Sequence, residues 1–280
     1  MLLRIARTIF ASVVLVLAAV ALWAFWIEPG LLVTHHARLA IPGWRTNLRI
    51  AVLSDLHIGS RRIGIGQLRK IVKRTNSENP ELVVLLGDFV VGGPRGQHDP
   101  DAFVGPERIA EELKDLHAPL GVFAVLGNHD WWFDGERVGR ALTGAGITVL
   151  ENRAARIGSG TQSFWLGGIA DLWTRDPDIA GTLRQTDDNP VLLITHNPDI
   201  FPEVPARVSL TIAGHTHGGQ VNLPFFGRPV AARLAYAEGH FVEQGRHLFV
   251  TTGIGTSIVG VRFGVPPEVV ILTLAPEGRS

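Results

Sequence analysis

From Leu48 onward the chain repeats one device: a short apolar run that ends in aspartate, asparagine or histidine. Leu48–Ser54 leads into Asp55 and His57, Leu82–Leu86 into Gly87-Asp88, and Val122–Leu126 into Gly127-Asn128-His129-Asp130. Later, Val191–Thr195 leads into His196, and Leu210–Ala213 into Gly214-His215-Thr216-His217. Apolar runs this short, bounded by glycine and polar residues, read as strands. Phe164–Ile169, Leu248–Thr251 and Val269–Leu274 read the same way. Helical patterns separate the early runs: Ile65–Asn76, with Leu68, Ile71 and Val72 on one face, then Pro106–Leu116 and Asp134–Gly144. The order predicts an α/β domain whose sheet is covered by helices. Ligands of open α/β sheets bind at the carboxyl ends of the strands. Polar residues far apart in sequence are therefore expected to meet at one sheet edge.

In the last block the two imidazoles are two residues apart. An extended chain sends alternate side chains to one face, so both rings can enter one site. The glycines of Gly214–Gln220 leave room for an ion there. Taken singly, each block has a plainer reading. Asp55-Leu56-His57 could cap a helix, Gly87-Asp88 is an ordinary turn, and His196 could be a hydrogen-bonded core histidine. Asn128-His129-Asp130 could be a turn. All these readings would have to hold at once, each at a strand end, which favours a metal centre.

Composition removes other chemistries. The 280 residues carry 26 basic and 26 acidic side chains and no cysteine. A zero balance without a basic run argues against a nucleic-acid partner. The lack of cysteine excludes thiolate nucleophiles, disulfides and Cys-based zinc sites. The chain also lacks a phosphate-binding Gly-x-x-x-x-Gly-Lys-Ser/Thr loop, a His-Glu-x-x-His peptidase helix and a Gly-x-Ser-x-Gly elbow.

Before the domain, Thr8–Ile27 is uncharged and mostly apolar, about the ~20 residues that span ~30 Å of hydrocarbon. Arg4 and Arg7 precede it, and Trp23, Phe25 and Trp26 crowd its far end. The positive-inside rule puts the N-terminus in the cytoplasm and everything after Glu28 on the extracytoplasmic side of the cell membrane. A cleaved signal peptide competes, with Ala19-Val20-Ala21 as a site, but the run exceeds the usual ~7–15-residue core. The expected organisation is an anchor over residues 1–27, a juxtamembrane connection over 28–46, and one catalytic domain over 47–280.

In kind and order the five blocks resemble the calcineurin-like metallophosphoesterases. Gly214–Gln220, Gly253–Ser257 and Arg262-Phe263 with Pro266-Pro267-Glu268 are similar to a membrane-associated bacterial subgroup, departing at Gly260 where proline is expected. The resemblance implies a four-layer α/β/β/α sandwich of two mixed sheets, preceded by the transmembrane helix. It implies that one divalent ion takes Asp55, His57, Asp88 and His217. A second would share Asp88 and take Asn128, His196 and His215, as in Mn, Fe, Zn or Co centres that share a hydroxide. His129 would then be the general acid, oriented by Asp130. Two ions ~3.5–4 Å apart repel and need a bridging anion, which suits Asp88. A metal brings bound water from a pKa of ~15.7 toward ~7, and a nearby imidazole suits protonation of the leaving oxygen.

The implied reaction is phosphoester hydrolysis. An alternative is pyrophosphate cleavage of a nucleotide-sugar glycolipid such as UDP-2,3-diacylglucosamine. A more distant one is a non-catalytic protein-binding scaffold, which the intact set of seven ligands disfavours. His35, His36, His98, His117, His240 and His247 receive no ligand role, and Arg61 and Arg62 read as a solvated pair near the first block. Trp131-Trp132-Phe133 and Leu223–Phe226 read as core packing. Alternatively, one of these clusters lines a trough for a lipid-linked substrate.

Overall fold

The computed structural model describes residues 1–60, 63–92, 103–160, 163–225, 227–257 and 259–277. The expectations for Arg61, Arg62, His98 and Phe226 fall outside them.

Two six-stranded mixed sheets form the centre. In the first, β2 (Leu48–Leu53), β3 (Leu82–Leu85), β4 (Val122–Ala124) and β5 (Thr148–Val149) run parallel. On the other side of β2 lies β12 (Glu268–Pro276), antiparallel, and beyond it β1 (Val33–Ile41), parallel to β12. In the second sheet, β7 (Phe164–Gly168), β8 (Val191–Ile194), β9 (Leu210–Ala213) and β11 (Arg246–Val250) are parallel. Antiparallel β6 (Arg153–Ile157) and β10 (Gly239–Glu243) close its edges.

The burial pattern explains why the sheets stack. β3, β8 and β9 are buried along their whole length, as apolar runs must be when both faces are covered. Ile50, Val52, Val84 and Val125 from the first sheet meet Leu166, Leu192, Ile194 and Ile212 from the second in one core. On the outer face of the first sheet, α2 (Ile65–Ser77), α3 (Pro106–Leu113) and α5 (Gly135–Gly144) bury Leu68, Ile71, Ile109, Leu113, Val138 and Leu142. The second sheet is covered by α6 (Ile179–Arg184) and the 3-10 turn Pro198–Glu203, with Leu183, Ile200 and Phe201 inside. The result is the expected four-layer α/β/β/α sandwich.

Two expectations are corrected here. Residues 28–46 are more than a connection, because β1 joins the first sheet through nine register pairs with β12. Leu223 and Phe225 are exposed rather than packed in a core.

The N-terminal helix α1 (Leu2–Leu22) buries none of its residues. With the turns that follow it, Leu2–Gly30 is long and apolar enough to cross a membrane. Its end is fastened to the domain. The Ala24 carbonyl accepts from the Arg262 N–H at 3.0 Å, and Glu28 Oε1 accepts from the Val265 N–H at 2.7 Å. Ala24 and Glu28 are both buried there.

Candidate metal centre

The five blocks converge where strands of both sheets end. Asp55 and His57 follow β2, Asp88 follows β3, and Asn128 and His129 open α4 (Asn128–Phe133) just after β4. His196 follows β8, and His215 and His217 follow β9. Asp55, His57, Asp88, His215 and His217 all have left-handed backbone, with φ between 43° and 69°. Such conformations cost ~1–3 kcal/mol each for non-glycine residues and collect where the fold aims side chains at a site.

Ligand-type atoms gather in overlapping groups, His57, Asp88 and His129 among them, and Asp88 joins the set around His57 to the set around His196. In the first, His57 Nε2 lies 3.3 Å from His217 Nε2 and 3.6 Å from Asp88 Oδ2, and His217 Nε2 lies 3.4 Å from Asp55 Oδ1. In the second, His196 Nε2 lies 3.4 Å from Asp88 Oδ2, 3.1 Å from Asn128 Oδ1 and 3.0 Å from His215 Nδ1. All seven side chains predicted as ligands are thus brought together. His129 sits beside them, its ring 4.7 Å from that of His57. Its Nδ1 and the Gly92 carbonyl are hydrogen-bonded.

The donor set fits divalent cations. Burial pushes His57 down to about 3 and His215 down to about 4. Burial, then the charge of Arg262, holds His217 well below its ordinary value. These imidazoles are therefore neutral, with lone pairs available to a metal. His196 behaves oppositely: burial opposes its charge, but Asp88, Asp55 and Asp171 lift it to about 10. The buried carboxylates call for positive charge at this spot. Asp55 Oδ1 is buried without a hydrogen-bond partner, an expensive state that a cation would relieve. His196 Nδ1 donates to the Leu86 carbonyl at 2.7 Å, which aims Nε2 inward, the usual outer support of a metal-binding imidazole.

Asp130 does something other than orient His129. Its Oδ2 accepts from the N–H groups of Asp88 at 2.8 Å and Gly127 at 3.0 Å. Its Oδ1 accepts from Phe89 at 2.8 Å and Val90 at 3.3 Å. The carboxylate therefore fixes the Asp88 loop to the start of α4, and the Gly92 carbonyl takes the expected place beside the His129 ring.

Close approach dictates Gly127. A Cβ there would lie 2.3 Å from Asp88 Oδ1 and 2.8 Å from His196 Cε1.

Sequence reasoning gave no role to two residues that matter here. Arg262 is fully buried, and its guanidinium donates to the carbonyls of Thr252, Gly253, Gly255 and Val265. It pins the loop that passes Asp55 and His57, a role that its place in the subgroup-like motif did not disclose. Trp173, 58% exposed, sets its ring edge-on to His215 at 4.3 Å. Trp132 does the same against His129 at 4.9 Å. Nothing in the local sequence singled out Trp173.

Comparison with known proteins identifies the family. The family model for the calcineurin-like phosphoesterase matches residues 48–219. YkuE of Bacillus subtilis (strain 168), an uncharacterized metallophosphoesterase, is 29% identical over 90% of this chain and 88% of its own. The phosphodiesterase YaeI of Escherichia coli (strain K12) is 31% identical over 89% of this chain and 90% of its own. The UDP-2,3-diacylglucosamine pyrophosphatase LpxG of Chlamydia trachomatis serovar D is 28% identical, covering 94% of this chain and 96% of its own. With sequence blocks, sheet order and metal-type clusters in accord, the chain belongs to the calcineurin-like phosphoesterases and is a metal-dependent hydrolase.

Proposed function

We propose that the protein is a membrane-anchored phosphoesterase working with two divalent ions, Mn, Fe, Zn or Co. One would be held by Asp55, His57, Asp88 and His217, and the other by Asp88, Asn128, His196 and His215. The observation that carries this reading is the shared Asp88, whose Oδ2 lies 3.6 Å from His57 Nε2 and 3.4 Å from His196 Nε2. When bound, such ions supply an acidified water and charge neutralisation at phosphorus.

The chain's own residues do the rest. Asp88 Oδ1 accepts the His129 N–H at 2.8 Å, which ties the proposed acid to the bridging carboxylate. With Nδ1 donating to the Gly92 carbonyl, His129 keeps Nε2 free to hand a proton to the leaving oxygen. No side-chain nucleophile is required. Arg4 and Arg7 before the apolar helix support a cytoplasmic N-terminus and an extracytoplasmic catalytic domain.

A lipid-linked phosphoester is the favoured substrate class. The apolar helix fastened to the domain supports it, as do Trp132 and Trp173 beside the catalytic imidazoles. The likeness to LpxG supports a second reading, cleavage of a pyrophosphate in a nucleotide-sugar glycolipid.

The test uses the full chain in detergent micelles, with bis-p-nitrophenyl phosphate as substrate. Hydrolysis should require added Mn, stop with chelator, and disappear in Asp88→Asn. Metal-independent turnover would defeat the proposal. Release of UMP from UDP-2,3-diacylglucosamine, against hydrolysis of a long-chain phosphodiester, separates the two substrate readings.

A further inference from the structure

The loops that carry His217 and Arg262 run on into tips at which, among the described residues, Leu223, Phe225 and Val259 are exposed. Beyond His217, Val221 bridges to Phe263, and the Asn222 N–H donates to the Phe263 carbonyl at 2.6 Å. The chain then doubles back, with Leu223 and Gly227 exchanging backbone hydrogen bonds of 2.7 and 2.9 Å. At this tip Phe225 has φ 67° and is wholly exposed. A second tip is tied to the first by Gln220. Its Nε2 donates to the Val259 carbonyl at 3.2 Å, and its Oε1 accepts from the Ser257 N–H at 2.7 Å. Val259 is half-exposed, as is Val230. Between Gln220 and Val230 the single charged residue is Arg228, which Glu238 neutralises.

Both tips lie beside the end of the apolar helix. The Arg262 N–H and the Val265 N–H are the groups that hold Ala24 and Glu28. Phe25, Trp26 and Ile27 are exposed at that same end. Apolar side chains from three separated segments therefore gather where the helix meets the domain. A phenylalanine held in left-handed backbone with its ring in water is costly. The same ring is favoured in the interfacial layer of a bilayer, where aromatic belts sit.

We propose that Leu223–Phe225 and Val259 dip into the leaflet interface from which the helix emerges, giving the domain a second membrane contact. The inference rests on α1 crossing that bilayer. It seats the mouth of the metal centre at the membrane surface, since Phe225 follows His217 by only eight residues.

The absence of native cysteine makes single-cysteine labelling unambiguous. Phe225→Cys, Val259→Cys, Val14→Cys and Arg184→Cys would be labelled with an environment-sensitive fluorophore. Each full chain is placed in phosphatidylcholine/phosphatidylglycerol nanodiscs, and Arg184, exposed on α6, is the aqueous reference. Labels at 225 and 259 should lose most of their emission to head-group-proximal spin-labelled lipid and resist iodide, whereas the label at 184 does the reverse. If the label at 14 is quenched by lipid while those at 225 and 259 behave like the one at 184, the second contact is refuted and the anchor stands. If the label at 14 also escapes quenching by acyl-chain spin-labelled lipid, the anchor reading falls and takes the second contact with it.

Discussion

Gly127→Ala adds one methyl group and should strike the metal centre together with the Asp88 backbone, whose nitrogen the new Cβ would approach to 2.8 Å. Gly127 has φ −103° and ψ 178°, extended backbone that alanine adopts freely, so no conformational penalty enters. The new Cβ would stand 2.3 Å from Asp88 Oδ1 and 2.8 Å from His196 Cε1, where ordinary contact begins at 3.4 Å. Asp88 must therefore retreat by about 1 Å, and a displacement of that size at a reacting centre costs on the order of 10²-fold in rate. Asp88 is pinned by the His129 N–H on one side, and His196 by the Leu86 carbonyl on the other, so neither can give way freely. The measurements are kcat/KM on bis-p-nitrophenyl phosphate at saturating Mn, metal content by elemental analysis, and Tm. The expected outcome is a roughly hundredfold loss of kcat/KM with weakened binding of the ion assigned to His196. A variant with full metal content and turnover within about threefold of the parent would refute the tight geometry claimed for Asp88.

Other expectations follow from the same contacts. His129→Ala should keep its metals while losing about 10²–10⁴-fold in kcat, and loss of metal instead would make His129 a ligand. Asp130→Asn turns an amide NH₂ toward two of the four N–H groups that the carboxylate now accepts. At ~1–3 kcal/mol per unsatisfied buried donor, both Tm and metal retention should drop, whereas a role confined to His129 would lower kcat alone. Trp132→Ala should hurt turnover of a long-chain phosphoester more than that of bis-p-nitrophenyl phosphate, and equal losses would remove the apolar-trough idea. Glu151 offers a pH test of stability. Burial, then the charge of Asp171, raises it from 4.5 to about 7, against a hydrogen bond from the Leu126 N–H. The folded state then holds a proton that the unfolded state has released, so this contribution is complete below pH 4.5 and is lost as pH rises to about 7. Glu151→Gln should be more stable than the parent at pH 8, by up to about 3 kcal/mol. Parallel denaturation curves for the two proteins from pH 5 to pH 8 would contradict the shift.

The ligand set was legible because its members lie within a few residues of the ends of largely buried runs, and β3, β8 and β9 match those runs to within a residue or so. The edge strands were hidden for the opposite reason. β1 and β10 are mostly exposed and alternate weakly, so Val33–Ile41 looked like a connection. That the Asp130 carboxylate braces the Asp88 loop was not legible, because the N–H groups it accepts come from loops that only the fold brings together. The role of Arg262 was not legible because its burial depends on four carbonyls supplied by a loop that only the tertiary fold assembles.

Little slack separates the apolar helix from the catalytic body: Glu28 is locked to Val265, and β1 begins at Val33. The uncharged run Thr8–Ile27 is about the ~20 residues that cross a typical hydrocarbon core, and in a thinner bilayer such a span accommodates by leaning. A lean in such a helix cannot be absorbed by a floppy tether and passes to the whole body as a rock. If the helix crosses a bilayer as proposed, lipid thickness thereby becomes a mechanical input to the enzyme, setting the angle at which its catalytic face meets the surroundings.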